Sequence, residues 1–279
     1  MSAADTAGGG WPASLALEYA ADSGRTWLAR RQHSGPLRVQ KSLYPEGPGI
    51  CQTLLVHPPG GIAGGDALAI DVRVGVGAHA QVTTPGATKW YRSAGPEATL
   101  DQTLAVAPGG RVEWLPQEAI VFSGARARSR TRVDLDAGGL YLGWDLIALG
   151  RPAAGESFDR GALALDTEIR CCDRLVWLER GRISGGDPLL HSASGFGGAM
   201  AAGTLLLAGA AVDDALLAAC REVKAAQGLW GITRLPDVLV ARWVGAETAT
   251  GRAWLTALWS LLRPAVLGRE AVIPRIWNT

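Results

Sequence analysis

The segment LAIDVRVGVG, residues 68–77, decides the fold class of this chain. Its even-numbered positions carry only Leu, Ile and Val, whereas its odd-numbered positions carry Ala, Asp, Arg and Gly. A period of two is expected of a β-strand that buries one face and exposes the other. The segment therefore predicts a half-buried strand.

Short segments of similar character continue along the chain, separated by the turn signals PG, AGP and PGG. Short strands with a turn about every ten residues are typical of a β-sandwich or barrel rather than of βαβ units. We therefore predict a mainly β fold, with many short strands in a sandwich or in layered sheets. The further predicted strands are HAQVTT (79–84), QTLAVA (102–107), RVEWLP (111–116), YLGWDLIALG (140–149) and ALALDTEIR (162–170).

Two segments near the C-terminus have helical periodicity instead. The first, VDDALLAACREVKAAQG at residues 212–228, predicts a helix that is capped by Asp213 or Asp214 and ends at Gly228. The fold is therefore expected to contain a small helical part late in the chain.

The second helical segment is TGRAWLTALWSLLRP, residues 250–264. Its apolar arc is wide, which implies burial on more than one side. Pro264 is expected to stop the helix because proline lacks the backbone N–H that a helix needs. A narrow polar stripe runs along this helix and consists of Arg252, Thr256, Ser260 and Arg263.

The composition limits the classes of function. Hydrophobic residues make up 48% of the 279 residues, enough for a sizeable core, and 27 basic against 26 acidic residues give a formal net charge of +1. This balance argues against a nucleic-acid-binding protein, which usually has a basic surplus. The longest apolar run, residues 199–212, is too short to span a bilayer, and no signal peptide is visible. We therefore expect a cytoplasmic protein that contacts neither nucleic acid nor membrane.

The chain shows no linker, repeat or low-complexity tract that would divide it. The Gly-rich residues 1–10 are expected to form a flexible N-terminal segment. Residues 11–279 are expected to form a single domain.

The segment HPPGGIAGGD, residues 57–66, is rich in glycine but matches no nucleotide-binding motif. It lacks the lysine and hydroxyl residue of a P-loop, and its glycines have the wrong spacing for a dinucleotide-binding turn. We interpret it as a rigid turn, in which prolines fix φ and glycines accept positive φ or a close chain approach. Asp66 either hydrogen-bonds local backbone amides or presents a carboxylate at a fixed point. The turn residues are Pro58, Pro59, Gly60, Gly61, Gly64 and Gly65.

The sequence contains no GxSxG elbow, HExxH motif or CxxC pair, and its four histidines are scattered singly. Such motifs would mark a nucleophilic or zinc-dependent enzyme or a closed metal site. Two kinds of function still fit the residues taken alone. One is a β-sandwich module that binds a small ligand, and the other is a hydrolase with paired carboxylates, for instance a glycoside hydrolase.

HPPGGIAGGD followed by TTPGATKWYRS (83–93) resembles the signature of the UreD family of urease accessory proteins, also called UreH. Other blocks resemble the family in the same order, so that the resemblance extends over nearly the whole chain. It implies a mainly β fold with a small helical part, and a protein that is not itself catalytic. These blocks are GPLRVQKSLYPEG (35–47), EWLPQEAIVFSGA (113–125), GRPAAGESF (150–158) and VIPRIWNT (272–279).

The resemblance also implies partners and a cargo. Members of the family act as a scaffold and nickel conduit together with the F and G urease accessory proteins, of which G is a nickel-carrying GTPase. The assembly loads apo-urease with nickel. No stably bound cofactor is implied, because nickel would be handled only transiently.

A nickel conduit needs sites that are weak enough to release the ion. Imidazole and thiolate bind Ni²⁺ tightly, whereas carboxylates together with water suit transient passage better. Carboxylates in or next to the matched blocks are therefore candidates for the path, with turn capping and salt bridging as the alternative. The candidates are Asp66, Glu113, Glu118, Asp145 and Glu156, with His57 and Cys51 as entry ligands.

Two segments are candidates for contact with partners. The segment RARSRTR places four arginines on one side of a predicted strand, where they form either a charged edge that discourages aggregation or a docking face for an acidic partner. The aromatic face of the second predicted helix is expected to pack against the F accessory protein or against the β core. The residues are Arg126, Arg128, Arg130 and Arg132 on the strand, and Trp254 and Trp259 on the helix.

Overall fold

Two β-sheets are stacked face to face, and two α-helices pack on the free face of one of them. The computed structural model describes residues 10–278, so that residues 1–9 of the predicted flexible segment lie outside the described residues. The predicted mainly β fold with two late helices is confirmed. The helices are α1 (Asp214–Glu222) and α2 (Thr248–Leu267). The strands of the described part of the chain are β1 (Pro12–Asp22), β2 (Arg25–Ser34), β3 (Arg38–Val39), β4 (Cys51–Val56), β5 (Ala67–Val74), β6 (His79–Thr83), β7 (Thr88–Trp90), β8 (Ala98–Val106), β9 (Arg111–Leu115), β10 (Ala119–Val121), β11 (Arg126–Leu135), β12 (Leu140–Leu149), β13 (Ala162–Cys171), β14 (Arg174–Ser184), β15 (Ala201–Ala208), β16 (Leu229–Arg234) and β17 (Val238–Gly245).

The seven-stranded sheet has the strand order β14-β13-β11-β8-β5-β1-β2. Its five inner strands are parallel, whereas the edge strands β14 and β2 are antiparallel to their neighbours. Along β5 the even-numbered residues are buried and the odd-numbered ones are more exposed, as the alternation of this segment predicts. The sheet therefore has an apolar inner face and a solvent-exposed outer face.

The ten-stranded sheet contains the order β16-β17-β15-β12-β9-β6-β4-β3, and the short strands β7 and β10 join it beside β12. The strands β12, β9, β6 and β4 are parallel to one another. On the other side of β12, the strands β15, β17 and β16 form an antiparallel extension. This extension is the part of the sheet that carries α2.

The middle of the chain winds between the two sheets. Strands β5, β8, β11 and β13 of the seven-stranded sheet alternate along the chain with β6, β9 and β12 of the ten-stranded sheet. At three stacked corners, Gly77, Gly109 and Gly138 adopt φ values of 64°, 67° and 70°. The Gly77 N–H donates to the Pro108 carbonyl at 3.2 Å, and the Gly109 N–H donates to the Ala137 carbonyl at 3.3 Å. The result is a solenoid-like coil. The sequence does not predict this coil, because no repeat is visible in it.

Two apolar cores hold the layers together. One fills the space between the sheets and contains side chains such as Leu104, Val133 and Ile169. The other lies between the ten-stranded sheet and the helices and contains Trp254 and Trp259. Full burial of each large aliphatic side chain stabilises the fold by about 1.5–3 kcal/mol. The inter-sheet space is therefore mainly a packed core, and any polar side chain within it needs an explanation.

Helix α1 begins as predicted and ends earlier than predicted. The Asp213 carboxylate caps the helix by accepting the Leu216 N–H at 2.7 Å. The helix ends at Glu222, because Val223 turns into an extended conformation and its carbonyl accepts the indole N–H of Trp254 at 2.8 Å. Gly228 lies well beyond this end and instead directly precedes β16, with a φ of 94°. The predicted C-terminal end of the helix was wrong because this tertiary contact replaces the last predicted turns.

Helix α2 continues through Pro264, so the predicted stop at this residue was wrong. Proline removes one N–H from the helix, but the additional turn buries Leu267 in the helix-side core. The helix ends instead at Gly268, which has a φ of 67° and donates its N–H to the Pro264 carbonyl at 3.1 Å. Within residues 10–278, neither helix is long and apolar enough to cross a membrane.

Candidate functional site

Three cavities lie in series between the two sheets. The first, of about 240 Å³, begins beside His57 and extends to Gln102. The second is smaller, about 60 Å³, and shares Gln102 with the first cavity and Asp145 with the third. The third, of about 360 Å³, extends to Glu179 and Arg242 at the edge of the sheets. These three cavities, here called the inter-sheet cavities, run across the strands from the glycine-rich turn to the β14–β17 edge.

Polar side chains line the inter-sheet cavities at one level of both sheets. Within each sheet, every polar residue of this level is paired with a polar residue on the neighbouring strand, as the register of the strand pairs shows. Within the row, the Gln102 side-chain amide donates to the Thr131 hydroxyl at 3.0 Å. We call this set the polar layer: Gln102, Thr131, Thr167 and Glu179 on the seven-stranded sheet, and Asp145, Thr204 and Arg242 on the ten-stranded sheet.

Local sequence places these residues on the inner faces. The face of a strand alternates with every residue, so a polar residue that stands two positions from apolar core residues shares their face. Gln102 lies between Leu100 and Leu104 on the same face of β8, and Arg242 lies between Val240 and Val244 on β17. Each of these strands thus contributes one polar residue to an otherwise apolar inner surface.

Asp145 is the least compensated charge of the polar layer. It lines two of the three cavities, yet no hydrogen bond or ion pair joins its carboxylate to another residue of the described chain. Burial raises the pKa of Asp145 to about 6, and the nearby charge of Glu179 acts in the same direction. A carboxylate without a partner is costly in a protein interior, and such groups concentrate at functional sites.

The outer end of the polar layer is an ion pair. Arg242 donates to Glu179 at 2.7 Å, and its guanidinium lies over the Trp177 ring at 5.7 Å from the ring centre. A second pair, between Arg174 and Asp237, joins the same two sheet edges with hydrogen bonds of 2.8 and 2.9 Å, but neither of its residues lines the inter-sheet cavities. The two edges are therefore held together by charge at the place where the cavities end.

The glycine-rich turn forms the other end of the cavities. The Gly60 N–H closes the turn around Pro58 and Pro59 by donating to the His57 carbonyl at 2.8 Å. Gly60 and Gly65 have φ values of 74° and 92°. A Cβ atom at Gly61 would collide with the Tyr91 ring, and one at Gly64 would collide with Ser93. Two glycines of the turn therefore have positive φ, and two others lie against neighbouring side chains.

Asp66 holds the glycine-rich turn together. One carboxylate oxygen accepts the Trp11 N–H at 2.8 Å, and the other accepts the Ala63 N–H at 2.8 Å. His57 stands at the mouth of the first cavity, where burial lowers the pKa of its imidazole and the Asp66 charge opposes this shift. Of these two conduit candidates, His57 lines the inter-sheet cavities and Asp66 does not.

Glu113 lies on the opposite face of the ten-stranded sheet, buried beneath α2. Its carboxylate accepts the His79 ring nitrogen at 2.8 Å, the Trp259 indole N–H at 2.6 Å and the Arg263 guanidinium at 3.0 Å. Burial alone would raise the pKa of Glu113, but the hydrogen bond from His79 and the charge of Arg263 lower it overall. Arg263 also pairs with Glu46 at 2.7 Å. We call Glu46, His79, Glu113 and Arg263 the buried ion cluster.

The buried ion cluster contradicts the polar stripe predicted for the second helix. The stripe includes Arg263, yet the side chain of this residue is completely buried. The fold places two carboxylates beside it, one from β9 and one from the loop before β4, and these partners lie far away in sequence. An arginine within an otherwise apolar helical arc was the available signal, but its partners could not be identified from periodicity.

The remaining conduit candidates do not line the inter-sheet cavities. Glu118 pairs with Arg252 at 3.6 Å, and Glu156 pairs with Arg151 at 2.9 Å. Cys51 is fully buried in β4. Within residues 10–278, no group of three or more His, Cys, Asp or Glu residues is arranged to hold a metal ion. The structure therefore brings only His57 and Asp145, of the seven candidates, to the cavities.

Sequence reasoning missed most of the polar layer. Thr131 and Glu179 belong to no recognisable motif, because isolated threonine and glutamate residues are common in strands. The signal was available in the alternation itself. In ALALDTEIR, for example, Thr167 interrupts an apolar series that continues from Leu165 to Ile169. A polar interruption of this kind on several strands marks a polar level in a core.

The partner candidates occupy different environments. Strand β11 lies in the middle of the seven-stranded sheet, so the prediction of a charged edge was wrong. Its arginines are on the outer face, where Arg128 pairs with Glu97 and Arg132 pairs with Asp134 at 3.0 Å. Arg126 and Arg130 belong to the same outer row. Trp254 and Trp259 are 2% and 0% exposed, so the α2 face that carries them packs against the β core and is closed to a partner.

Comparisons with known proteins match nearly the whole chain. The model of a family described as UreD urease accessory protein matches residues 12–278. A protein named urease accessory protein UreD from Dechloromonas aromatica is 52% identical over 273 residues, covering 96% of this chain and 95% of the relative. Proteins of the same name from Azoarcus sp. and Pseudomonas aeruginosa PAO1 are 52% and 53% identical, over 97% and 96% of this chain and 95% of each relative.

Proposed function

This chain belongs to the UreD family of urease accessory proteins, and on that basis we propose that it is a non-catalytic scaffold that conducts nickel through the inter-sheet cavities. Its proposed partners are the F and G urease accessory proteins, G being the GTPase that carries nickel, and apo-urease, which receives it. Nickel is the cargo of this assembly, bound only transiently, and the assembly is proposed to work in the cytoplasm.

The observation that carries the proposal is the unpartnered carboxylate of Asp145 in the middle of the inter-sheet cavities. A carboxylate attracts a divalent cation most strongly where protein replaces water around it, because the effective dielectric constant is lower there. Asp145 has no guanidinium or ammonium partner within the described residues that would neutralise it. A cation entering the cavities would be its natural counter-ion.

The composition of the polar layer supports transient rather than permanent binding. Apart from Arg242, its other residues offer amide, hydroxyl and carboxylate oxygens, and thiolate and imidazole, which hold Ni²⁺ tightly, are not among them. A conducting path needs several weak sites in sequence, so that an ion can enter and also leave. Oxygen ligands spread over several strands meet this requirement.

The exposed outer face of the seven-stranded sheet supports the scaffold part of the proposal. The arginine row of β11 is solvent-exposed and contains Arg126, which has no ion pair among the described residues. Such a row fits an acidic partner surface and would mainly increase the rate of association. Conduction and docking would then use opposite faces of one sheet.

The conduction proposal is tested by urease activation in cells that contain the accessory proteins and limiting nickel. Asp145→Asn keeps the size of the side chain and removes its charge, so we expect activation to fall severalfold and added nickel to restore part of it. Asp71→Asn on the exposed outer face of the same fold is the matched control and should activate normally. Co-purification with the F and G proteins and apo-urease should be unchanged for both variants.

Full activation by Asp145→Asn at every nickel concentration would contradict the proposal. An equal loss for Asp145→Asn and Asp71→Asn would also contradict it, because that result would reflect charge in general rather than the cavity. Loss of the complex in Asp145→Asn would assign the residue to assembly instead.

A further inference from the structure

We infer that the β14–β17 end of the inter-sheet cavities, opposite the entry candidate His57, is the exit, and that Arg242 is a positioning residue there that occupies Glu179 until an arriving divalent cation replaces it. This inference rests on the proposed conduction of nickel. The role of Arg242 can be tested separately from conduction, because it concerns how tightly the cation is held and not whether the cation passes.

The guanidinium of Arg242 lies where a conducted cation would arrive. Arg242 and Glu179 both line the third cavity, and their charged groups are 2.7 Å apart. Asp145 lines the same cavity and stands in the same cross-strand row as Arg242, with Thr204 between them. The charge of Glu179 acts on Asp145, so the two carboxylates lie within electrostatic range of each other. Two carboxylates and one guanidinium thus share the exit end.

The charge balance sets the strength of this end as a cation site. With both carboxylates ionised, they carry two negative charges, and Arg242 reduces the sum to one. A divalent cation is therefore attracted less strongly than it would be without the guanidinium. Weak binding is the property that a release site requires, and Arg242 supplies it without removing a ligand oxygen.

Arg242 is placed so that it can give up Glu179 at low cost. Its side chain is 52% exposed, and exposed ion pairs contribute little to stability. The Trp177 ring offers the guanidinium a second contact on the same strand as Glu179. When a cation takes Glu179, the guanidinium therefore has both solvent and an aromatic face available. The exchange of one cation for another therefore leaves Glu179 with a counter-ion throughout.

The experiment measures the affinity of the purified full-length protein for Ni²⁺ alone, by equilibrium dialysis near pH 7.5 at low ionic strength. Arg242→Gln should bind Ni²⁺ about three- to tenfold more tightly than the unmodified protein, because one repelling charge is removed. Arg242→Lys keeps the charge and should bind as the unmodified protein does. The double variant Arg242→Gln with Glu179→Gln should lose the gain.

Arg174→Gln is the matched control, because Arg174 pairs with Asp237 across the same sheet edges but does not line the inter-sheet cavities. It should leave the nickel affinity unchanged. If Arg174→Gln raises the affinity as much as Arg242→Gln does, a general charge effect explains the result and the inference is overturned.

The outcomes separate this inference from the proposed function. Asp145→Asn measured in the same way should bind Ni²⁺ more weakly. If Asp145→Asn weakens binding and Arg242→Gln leaves it unchanged or weakens it, conduction stands and the role of Arg242 is overturned. If neither variant differs from the unmodified protein, both are overturned.

Discussion

Asp145 and Glu113 lie on neighbouring strands of one sheet but have opposite environments. Glu113, on β9, faces the helices, and there His79, Trp259 and Arg263 donate to its two oxygens. Asp145, on β12, faces the other sheet and a cavity, and no residue within 10–278 donates to it. Burial alone therefore does not mark a functional carboxylate. The decisive property is whether the fold supplies the counter-charge.

The two pKa shifts express the same contrast. The partners of Glu113 overcome the effect of burial and lower its pKa, so the carboxylate is held ionised by the structure. Burial raises the pKa of Asp145 to about 6, so the structure disfavours its charged form. Replacing each charge should therefore change stability in opposite directions.

The largest effect is expected where the buried ion cluster is broken. Arg263→Met leaves Glu113 and Glu46 without their guanidinium, and removing one partner of a buried ion pair typically costs about 3–5 kcal/mol. Urea-induced unfolding at pH 7 measures this loss. The matched control is Arg252→Met, also on α2, whose pair with Glu118 is partly exposed and should contribute at most about 1 kcal/mol. Equal losses for the two variants would show that the cluster has no special role in stability.

The next effect has the opposite sign and concerns Asp145. Its pKa is about 6 in the folded state and 3.8 in the unfolded reference, so its ionisation destabilises the fold above pH 6 by up to about 3 kcal/mol. The penalty decreases as the pH falls through 6 and is absent below about 4, where the carboxyl is protonated in both states. Asp145→Asn should therefore stabilise the protein at pH 7.5 and have little effect at pH 4.

Unfolding midpoints at the two pH values test this sign, with the exposed Asp71→Asn as the control that should change neither. A loss of stability in Asp145→Asn at pH 7.5 would mean that the carboxylate has a partner in solution. It would then resemble Glu113, and the comparison between the two residues would fail.

The smallest effect concerns Asp66, which has paired oxygens like Glu113 but lies in a partly exposed turn. Asp66→Asn replaces one accepting oxygen by an NH₂ group opposite a backbone N–H, and the loss of one such hydrogen bond costs about 1 kcal/mol. Unfolding and nickel affinity, measured together, decide between the two predicted roles of Asp66. Unchanged stability with weaker nickel binding would favour the conduit role over the turn-holding role.

The sequence predicted the strands better than their connections. The alternation at residues 68–77 identified β5, because the period of two is local, but the strand ends at Val74 and Val76 is exposed. Glycine turns such as the one at Gly109 predict the ends of strands, and in the fold they also lead the chain from one sheet to the other. Glycine residues with positive φ occur both in hairpin turns and at solenoid corners, so the parallel pairing of the strands could not be derived from them.

The helices illustrate the same limit at single residues. The Asp213 cap is a contact within four residues, and sequence identified the cap region. The end of α1 depends on a bond between Val223 and Trp254, and the extension of α2 past Pro264 depends on burial of Leu267. Both are contacts with distant parts of the chain, and they outweigh the local preferences for Gly228 and Pro264 as helix ends.

Residue order alone shows which side chains share a face of each strand, where the chain turns, and which residues could bind or repel a cation. Long-range strand pairing aligns the polar residues of β8, β11, β13 and β14 at one level, opposite those of β12, β15 and β17. Long-range packing also makes Glu113 face the helices and Asp145 face a cavity. The physical reason is that alternation fixes two faces of a strand, but the layer that covers each face is set by pairing and packing with residues far away in sequence.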